Sequence, residues 1–310
     1  MEEAEIIRIV DETSDLVRAR YVFPEIGERI AVLLDTRRAD GRYTAADSPA
    51  TLAALVTEDL QSVNGDKHLR LKYHPERIPD QPGEEAVLAM LARDSARDLG
   101  GIGRIERLDG NVALLEFSPV LYPPEMTGED VCAAMRLAAR GDALVIDLRQ
   151  CRGGTPSTVA LICGHLVEES THLMSFFERH PDGDRTTQSW TPPYVAGRRL
   201  APTAPVYVLT SATTFSGGEE LAYDLQQLGR ATVVGERTGG GAHPRAGFRL
   251  HPHLEATVPV GRSIHPVTGT NWEGVGVVPD LEVPAGEALR VAHRLALTAL
   301  ADRSDAPAVA

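Results

Sequence analysis

The chain is short of cysteine, of basic charge and of long apolar runs, and each shortage argues against a class of protein. Its 310 residues hold three cysteines, Cys132, Cys151 and Cys163. The number is odd and no pair has the Cys-x-x-Cys spacing. That argues against a disulfide scaffold and a cysteine-built zinc site, and it suits a reducing compartment. No apolar run reaches the roughly 18 residues from which a membrane-spanning helix is read, so no span is expected. Asp and Glu number 44 against 31 Lys and Arg, for a net charge of −13. Nucleic acid and anionic membrane both need a basic face, so neither is an expected partner. The first fifteen residues are acidic and amphipathic, unlike a secretory leader, which makes the cytoplasm the expected location. Internal repeats and low-complexity blocks are also missing.

What is present suffices for a large core: 43% of the residues are hydrophobic, enough for one large domain or two unequal ones. Residues 2–64 carry helical spacings, with a break at Val22-Phe23-Pro24-Glu25. Ile6, Ile7 and Val10 start the first stripe, Ile26 and Ile30 the second, and Leu52, Leu55 and Val56 the third. Asn64-Gly65 marks a turn, and Leu69, Leu71 and Tyr73 alternate as in a strand. Further on, a helix is expected over 83–97, a hairpin around Asp109-Gly110, and a helix over 127–140. Ala143 to Leu148 is apolar but for Asp147, the mark of a strand buried on both faces. A helix over 156–168 and a strand over 172–178 follow, then a polar surface excursion over 179–200. Strands over 205–209, 231–236, 246–250 and 256–260, with helices over 219–228 and 285–301, complete the pattern. The alternation after residue 140 predicts an α/β core of ββα units. The expected division is a small helical domain, 1–66, and an α/β core, 67–310.

Chemistry gathers at Thr210 to Glu220. There the strand Pro205–Leu209 gives way, through small and polar residues, to a helix. A serine at that junction has its hydroxyl at the sheet edge beside the unpaired N–H groups of a helix N-terminus. Ser216 is therefore a candidate nucleophile, or simply the helix cap. Arg152-Gly153-Gly154 follows a second buried strand. Gly153 or Gly154, with Gly217, would let two N–H donors converge on a developing oxyanion. Two tight turns would need the same glycines. Glu219 and Glu220 suit the first helical turn, where carboxylates complement the dipole. Asp147 and Arg149 read as buried polar partners at a strand end.

Four segments in order resemble one family: Ala143 to Gly154, Thr210 to Glu220, Val233 to Pro244, and Gly274 to Val283. Together they look like the tail-specific, or C-terminal processing, serine proteases. Asp66-Lys67-His68-Leu69, preceded by Tyr21-Val22-Phe23-Pro24, is more similar to the branch with the retinoid-binding repeats of the interphotoreceptor matrix, which is related to the tricorn protease core. The resemblance covers roughly residues 1–300 and implies a crotonase-like core. It places the nucleophile on Ser216 and the oxyanion donors on Gly217 and the turn at Gly153. The processing proteases carry a lysine base where this chain has Gly241, so a serine–lysine dyad is not available there. In the tricorn-like branch the base is a histidine near the front of the chain, which falls on His68, with its carboxylate partner on Glu273. The serine that precedes that histidine is Lys67 here. His243, close to the missing lysine, is the alternative base. The 74–98 stretch is too short for the PDZ domain those proteases usually carry.

A serine hydroxyl needs an adjacent base near neutral pH, and a carboxylate on the far imidazole nitrogen fixes the base's tautomer. The resemblance thus implies a serine peptidase acting through an acyl-enzyme on a peptide or protein, with no cofactor or metal. Related cores often assemble, so a homo-oligomer fits as well. The alternatives are a binding module for a retinoid- or fatty-acid-like ligand in an interdomain cleft, and a hydrolase of small esters or amides.

Overall fold

The structure is a computed structural model that describes residues 1–79, 84–180 and 182–304. Its first elements are α1 (Glu3–Arg20), α2 (Pro24–Ala39), α3 (Pro49–Gln61), β1 (Arg70–Tyr73) and α4 (Glu84–Arg97). Then come β2 (Ile102–Leu108), β3 (Val112–Phe117), α5 (Pro124–Ala138), β4 (Ala143–Asp147) and α6 (Pro156–Gly164). The next are β5 (His172–Glu178), β6 (Arg185–Trp190), β7 (Val206–Thr210), α7 (Gly217–Gln227) and β8 (Thr232–Gly235). Last are β9 (Arg245–His251), β10 (Leu254–Pro259), β11 (Gly261–Ile264), β12 (Leu281–Glu282) and α8 (Ala285–Ser304).

Two compact units divide the chain. The first combines Met1–Glu84, Ser175–Thr187 and His243–Ile264. The second combines Glu85–Met174, Gln188–Ala242 and His265–Ala310. This division differs from the expected 1–66 and 67–310, and the reason is burial. The apolar stripes of α1, α2 and α3 (Ile9, Val10, Ile30, Leu34, Leu52 and Leu60) close on strand residues Leu69, Leu71, Leu254, Ala256 and Val258. Three helices leave part of their apolar surface exposed, and a sheet from far along the chain takes it out of water. In that sheet, ordered β1-β10-β9, β1 pairs antiparallel with β10, Leu71 opposite Ala256. Local signals still set the helix ends. Ser48 caps α3 by accepting the Thr51 N–H at 3.2 Å, with Pro49 just inside. Glu3 and Glu5 begin α1, and Arg18 and Arg20 end it.

The second unit is built on a six-stranded sheet, ordered β12-β8-β7-β4-β3-β2. Neighbours are parallel except β2 and β3, which form the expected hairpin. The links β3–α5–β4, β4–α6–β7 and β7–α7–β8 bring strand ends of one sense to one edge, where ligands of open α/β sheets bind. Ala288, Val291, Ala292 and Ala296 of α8 pack on Val145, Leu209 and Val234. The fold is thus mixed α/β, with a helical N-terminal part and a central mixed sheet. The stretch over 179–200, expected as a surface loop or excursion, is exposed but not all loop: it contains β6, which joins a sheet ordered β11-β5-β6. Mostly exposed Arg185 to Trp190 has no apolar alternation to announce a strand.

Candidate active site

In the second unit, β7 is buried along its length and ends in Thr210. The hydroxyl-rich segment after it is laced to the end of β4. Ser211 and Thr213 donate to the Arg149 carbonyl at 2.6 and 2.9 Å, and Thr214 to that of Leu148 at 2.9 Å. Phe215 N–H reaches the Cys151 carbonyl at 3.1 Å. These bonds bring Ser216 against the glycine turn. A Cβ added to Gly153, whose φ is +135°, would stand 3.2 Å from the Ser216 Cβ and 3.7 Å from its Oγ. One added to Gly217 would meet the Gly154 carbonyl oxygen at 2.6 Å. Among the described residues, the backbone N–H groups of Gly153, Gly154 and Gly217 donate to no protein acceptor. The structure therefore brings together Ser216, Gly153, Gly154 and Gly217.

Ser216 has φ +50° and ψ −120°, a conformation that costs a non-glycine residue about 1–3 kcal/mol. A serine at a strained strand-to-helix turn is the arrangement that exposes a nucleophilic hydroxyl in α/β-hydrolase enzymes. Here Glu219 holds the turn: its Oε2 accepts the Ser216 N–H at 2.8 Å and the Gly241 N–H at 2.9 Å. Its Oε1 accepts the Gly240 N–H at 2.7 Å and the Thr238 hydroxyl. Glu219 is fully buried. Burial pushes its carboxyl up from the ordinary value, against those four donors, and the net direction is up. Dipole complementarity is thus only part of its role, because it ties the nucleophile turn to the 238–241 turn. The downstream loop joins the same assembly. Glu273 accepts the Ala242 N–H, Trp272 donates its indole N–H to the Gly241 carbonyl at 3.0 Å, and Gly274 N–H donates to Gly240 at 3.0 Å. Asp147 and Arg149 pair as expected, with Arg149 Nε 2.9 Å from Asp147 Oδ1.

Both candidate bases lie in the first unit, around the buried carboxylate of Asp66. His243 Nδ1 is 3.0 Å from Asp66 Oδ2, and both side chains are almost wholly buried. Tyr21 donates its hydroxyl to the same oxygen at 2.8 Å, and Asn64 Nδ2 donates to that hydroxyl at 2.6 Å. Burial pushes the Asp66 carboxyl up, but bonds from His243 and Tyr21 and the His243 charge outweigh it, and the net direction is down. Asp66 therefore stays a carboxylate and only accepts, so the proton in its contact with His243 Nδ1 is carried by the imidazole.

His68 is anchored through its backbone. Its N–H donates to Asp66 Oδ1 at 3.0 Å, and its carbonyl accepts the Thr257 hydroxyl at 2.6 Å. Burial lowers the imidazole to about 4, with Asp66 opposing and Arg245, His243 and Arg70 reinforcing. His68 is thus neutral at pH 7, as a proton acceptor must be. Asp66 stands two residues before His68, the one local signal that could have found it. Glu219 had a signal too, three residues after the nucleophile in a capping-box position.

Fold and turn together put the chain among α/β proteins with a serine at a strand-to-helix junction. The model of peptidase family S41 matches residues 111–283, and the chain belongs to that family. A second model, the N-terminal domain of S41 peptidases in eukaryotic interphotoreceptor retinoid-binding protein, matches residues 3–98. Among curated proteins, the chain is 25% identical over 190 residues to carboxyl-terminal-processing peptidase 1, chloroplastic, of Arabidopsis thaliana. That match takes in 60% of this chain and 37% of the plant protein. Among solved structures, a putative peptidase from Parabacteroides merdae has a TM-score of 0.65 at 17% identity, covering 94% of this chain and 96% of its own. The photosystem II D1 C-terminal processing protease has a TM-score of 0.52 at 15% identity, covering 95% and 97%. These structural likenesses bear on the fold.

Proposed function

We propose that the protein is a serine peptidase that cleaves peptide bonds in a peptide or protein through an acyl-enzyme on Ser216. One observation carries the reading: Ser216 sits on a strained turn bordered by the unpartnered amides of Gly153 and Gly217. Ser216 Oγ attacks the carbonyl carbon as its proton passes to a histidine. The Gly153 and Gly217 N–H groups hold the oxyanion, and the histidine returns the proton to the leaving amine. Water then adds to the acyl carbon as the same histidine takes its proton, and that proton passes to Ser216 Oγ as the acid leaves. His68 is the base in this reading and Glu273 its orienting carboxylate, within a crotonase-like core in the cytoplasm. The Asp66 bond favours His243 as a second candidate for the base.

A fluorophosphonate probe tests the proposal. Labelling of the wild-type chain that disappears in Ser216→Ala supports it. Absence of labelling, or labelling that survives Ser216→Ala, overturns it. His68→Ala and His243→Ala then assign the base by which of them suppresses labelling.

A second reading, storage of an apolar ligand, is favoured by a cavity of about 900 Å³ in the first unit. Leu16, Ile78, Phe248 and Leu250 form the apolar part of its lining, and Glu12, Asp15, Arg20, Arg249 and Glu255 stand around them. Retinol fluorescence titrated against the intact chain tests that reading; failure to saturate rules it out.

A further inference from the structure

A cluster of arginines in the second unit has no part in the chemistry above. Gly110, Arg140, Gly141, Asp142, Arg198 and Arg303 line a cavity of about 570 Å³. Arg140 follows the end of α5, Arg303 lies in the last turn of α8, and Arg198 belongs to the loop after β6. A fourth guanidinium is close by. A Cβ on Gly197, whose φ is +98°, would stand 2.1 Å from Arg136 Cδ, so the Arg136 side chain crosses the backbone next to Arg198.

The charge there is unbalanced. Among the described residues, Arg136, Arg140 and Arg198 have no carboxylate partner. Arg18, Arg38, Arg42 and Arg149, by contrast, are each paired with Asp or Glu. Arg303 is held by the Thr203 carbonyl at 2.9 Å and its hydroxyl at 3.0 Å. Asp142, the carboxylate of the lining, already accepts the Asn111 side-chain amide at 3.0 Å. The helix dipoles of α5 and α8 account for cations at their C-termini. They do not account for Arg198, which comes from neither helix.

Like charges that converge without counter-charge repel, and a bound anion relieves that repulsion. We propose that this cavity binds a small phosphate-bearing anion. The planar forks of Arg140 and Arg198 take the phosphate oxygens, and Arg136 supplies further positive charge. The volume suits a small molecule. A nucleic acid polymer does not fit a chain whose net charge is −13.

Isothermal titration of the full chain with pyrophosphate at low salt tests the site, with citrate as the carboxylate comparator. Saturable one-site binding of pyrophosphate, weakened about tenfold or more in Arg198→Glu and in Arg140→Gln, is the expected result. Arg29→Glu, on an exposed position of the first unit, should leave it unchanged. Labelling of Ser216 by a fluorophosphonate should persist in Arg198→Glu, which shows that the variant is folded and separates this site from the proposed peptidase. No pyrophosphate binding, equal binding by Arg198→Glu and wild type, or tighter binding of citrate overturns the proposal.

Discussion

The two units hold their candidate catalytic groups by different means. In the second unit Ser216 is fixed by backbone. Its own N–H goes to Glu219, the next strand's turn goes to the same carboxylate, and the proposed oxyanion donors are main-chain amides. In the first unit the histidines depend on side chains that meet from distant segments, Tyr21, Asp66 and His243. Backbone placement follows from strand, turn and helix, and among side chains it leans above all on Glu219. Side-chain placement lasts only as long as each partner in the network remains.

Variants can break that contrast, and the largest effect belongs to the nucleophile. Ser216→Ala should lower kcat for peptide hydrolysis by roughly 10⁶-fold while leaving the fold intact, as circular dichroism would show. Next comes the carboxylate behind the histidines. Asp66→Asn should cost on the order of 10⁴-fold in kcat if His243 is the base, because the amide no longer dictates its tautomer. A change below about tenfold would remove Asp66 and His243 from the proton path and leave His68. Glu219→Gln sharpens the backbone side of the comparison. An amide cannot accept from all four donors, so kcat should drop by about 10²-fold and stability by about 1–3 kcal/mol in urea melts. Wild-type kcat with unchanged stability would show that the turn holds without the buried carboxylate.

The smallest effect is on pH dependence, where sign and window follow from His68. Its folded value, about 4, lies below the ordinary 6.5. The unfolded chain therefore takes up a proton that the folded one refuses. The associated stability is complete above pH 6.5, falls as the pH drops, and is gone near pH 4. The expected loss is of the order of 3 kcal/mol, read from urea midpoints across that range. His68→Gln should flatten the dependence. If His68 is the base, the acid limb of kcat/KM should also fall near pH 4, not near 6.5.

The nucleophile turn was readable because every feature that makes it is local. A buried run ends in small residues, a serine follows, and glycines stand where a Cβ would collide with the neighbouring turn. The helices of the first unit were readable from spacing for the same reason. Strand β6 was not, since an exposed polar edge shows no alternation. Glu219 looked like an ordinary first-turn carboxylate, and only the return of residues 238–241 shows what it binds. Asp66 was passed over as a site residue because its partners lie 45 and 177 positions away.

By itself, the order of residues determined the short-range elements: which runs are buried strands, where helices begin, and which serine stands at a strand-to-helix junction. Tertiary structure alone decided that the helical segment shares its core with strands from residue 243 onward, and that Asp66 partners His243. It also decided that arginines from three separate elements would share one cavity. The physical reason is the range of the forces. Backbone sterics and side-chain spacing act within a few residues, whereas burial, hydrogen bonding and charge act between whichever groups the folded chain brings together.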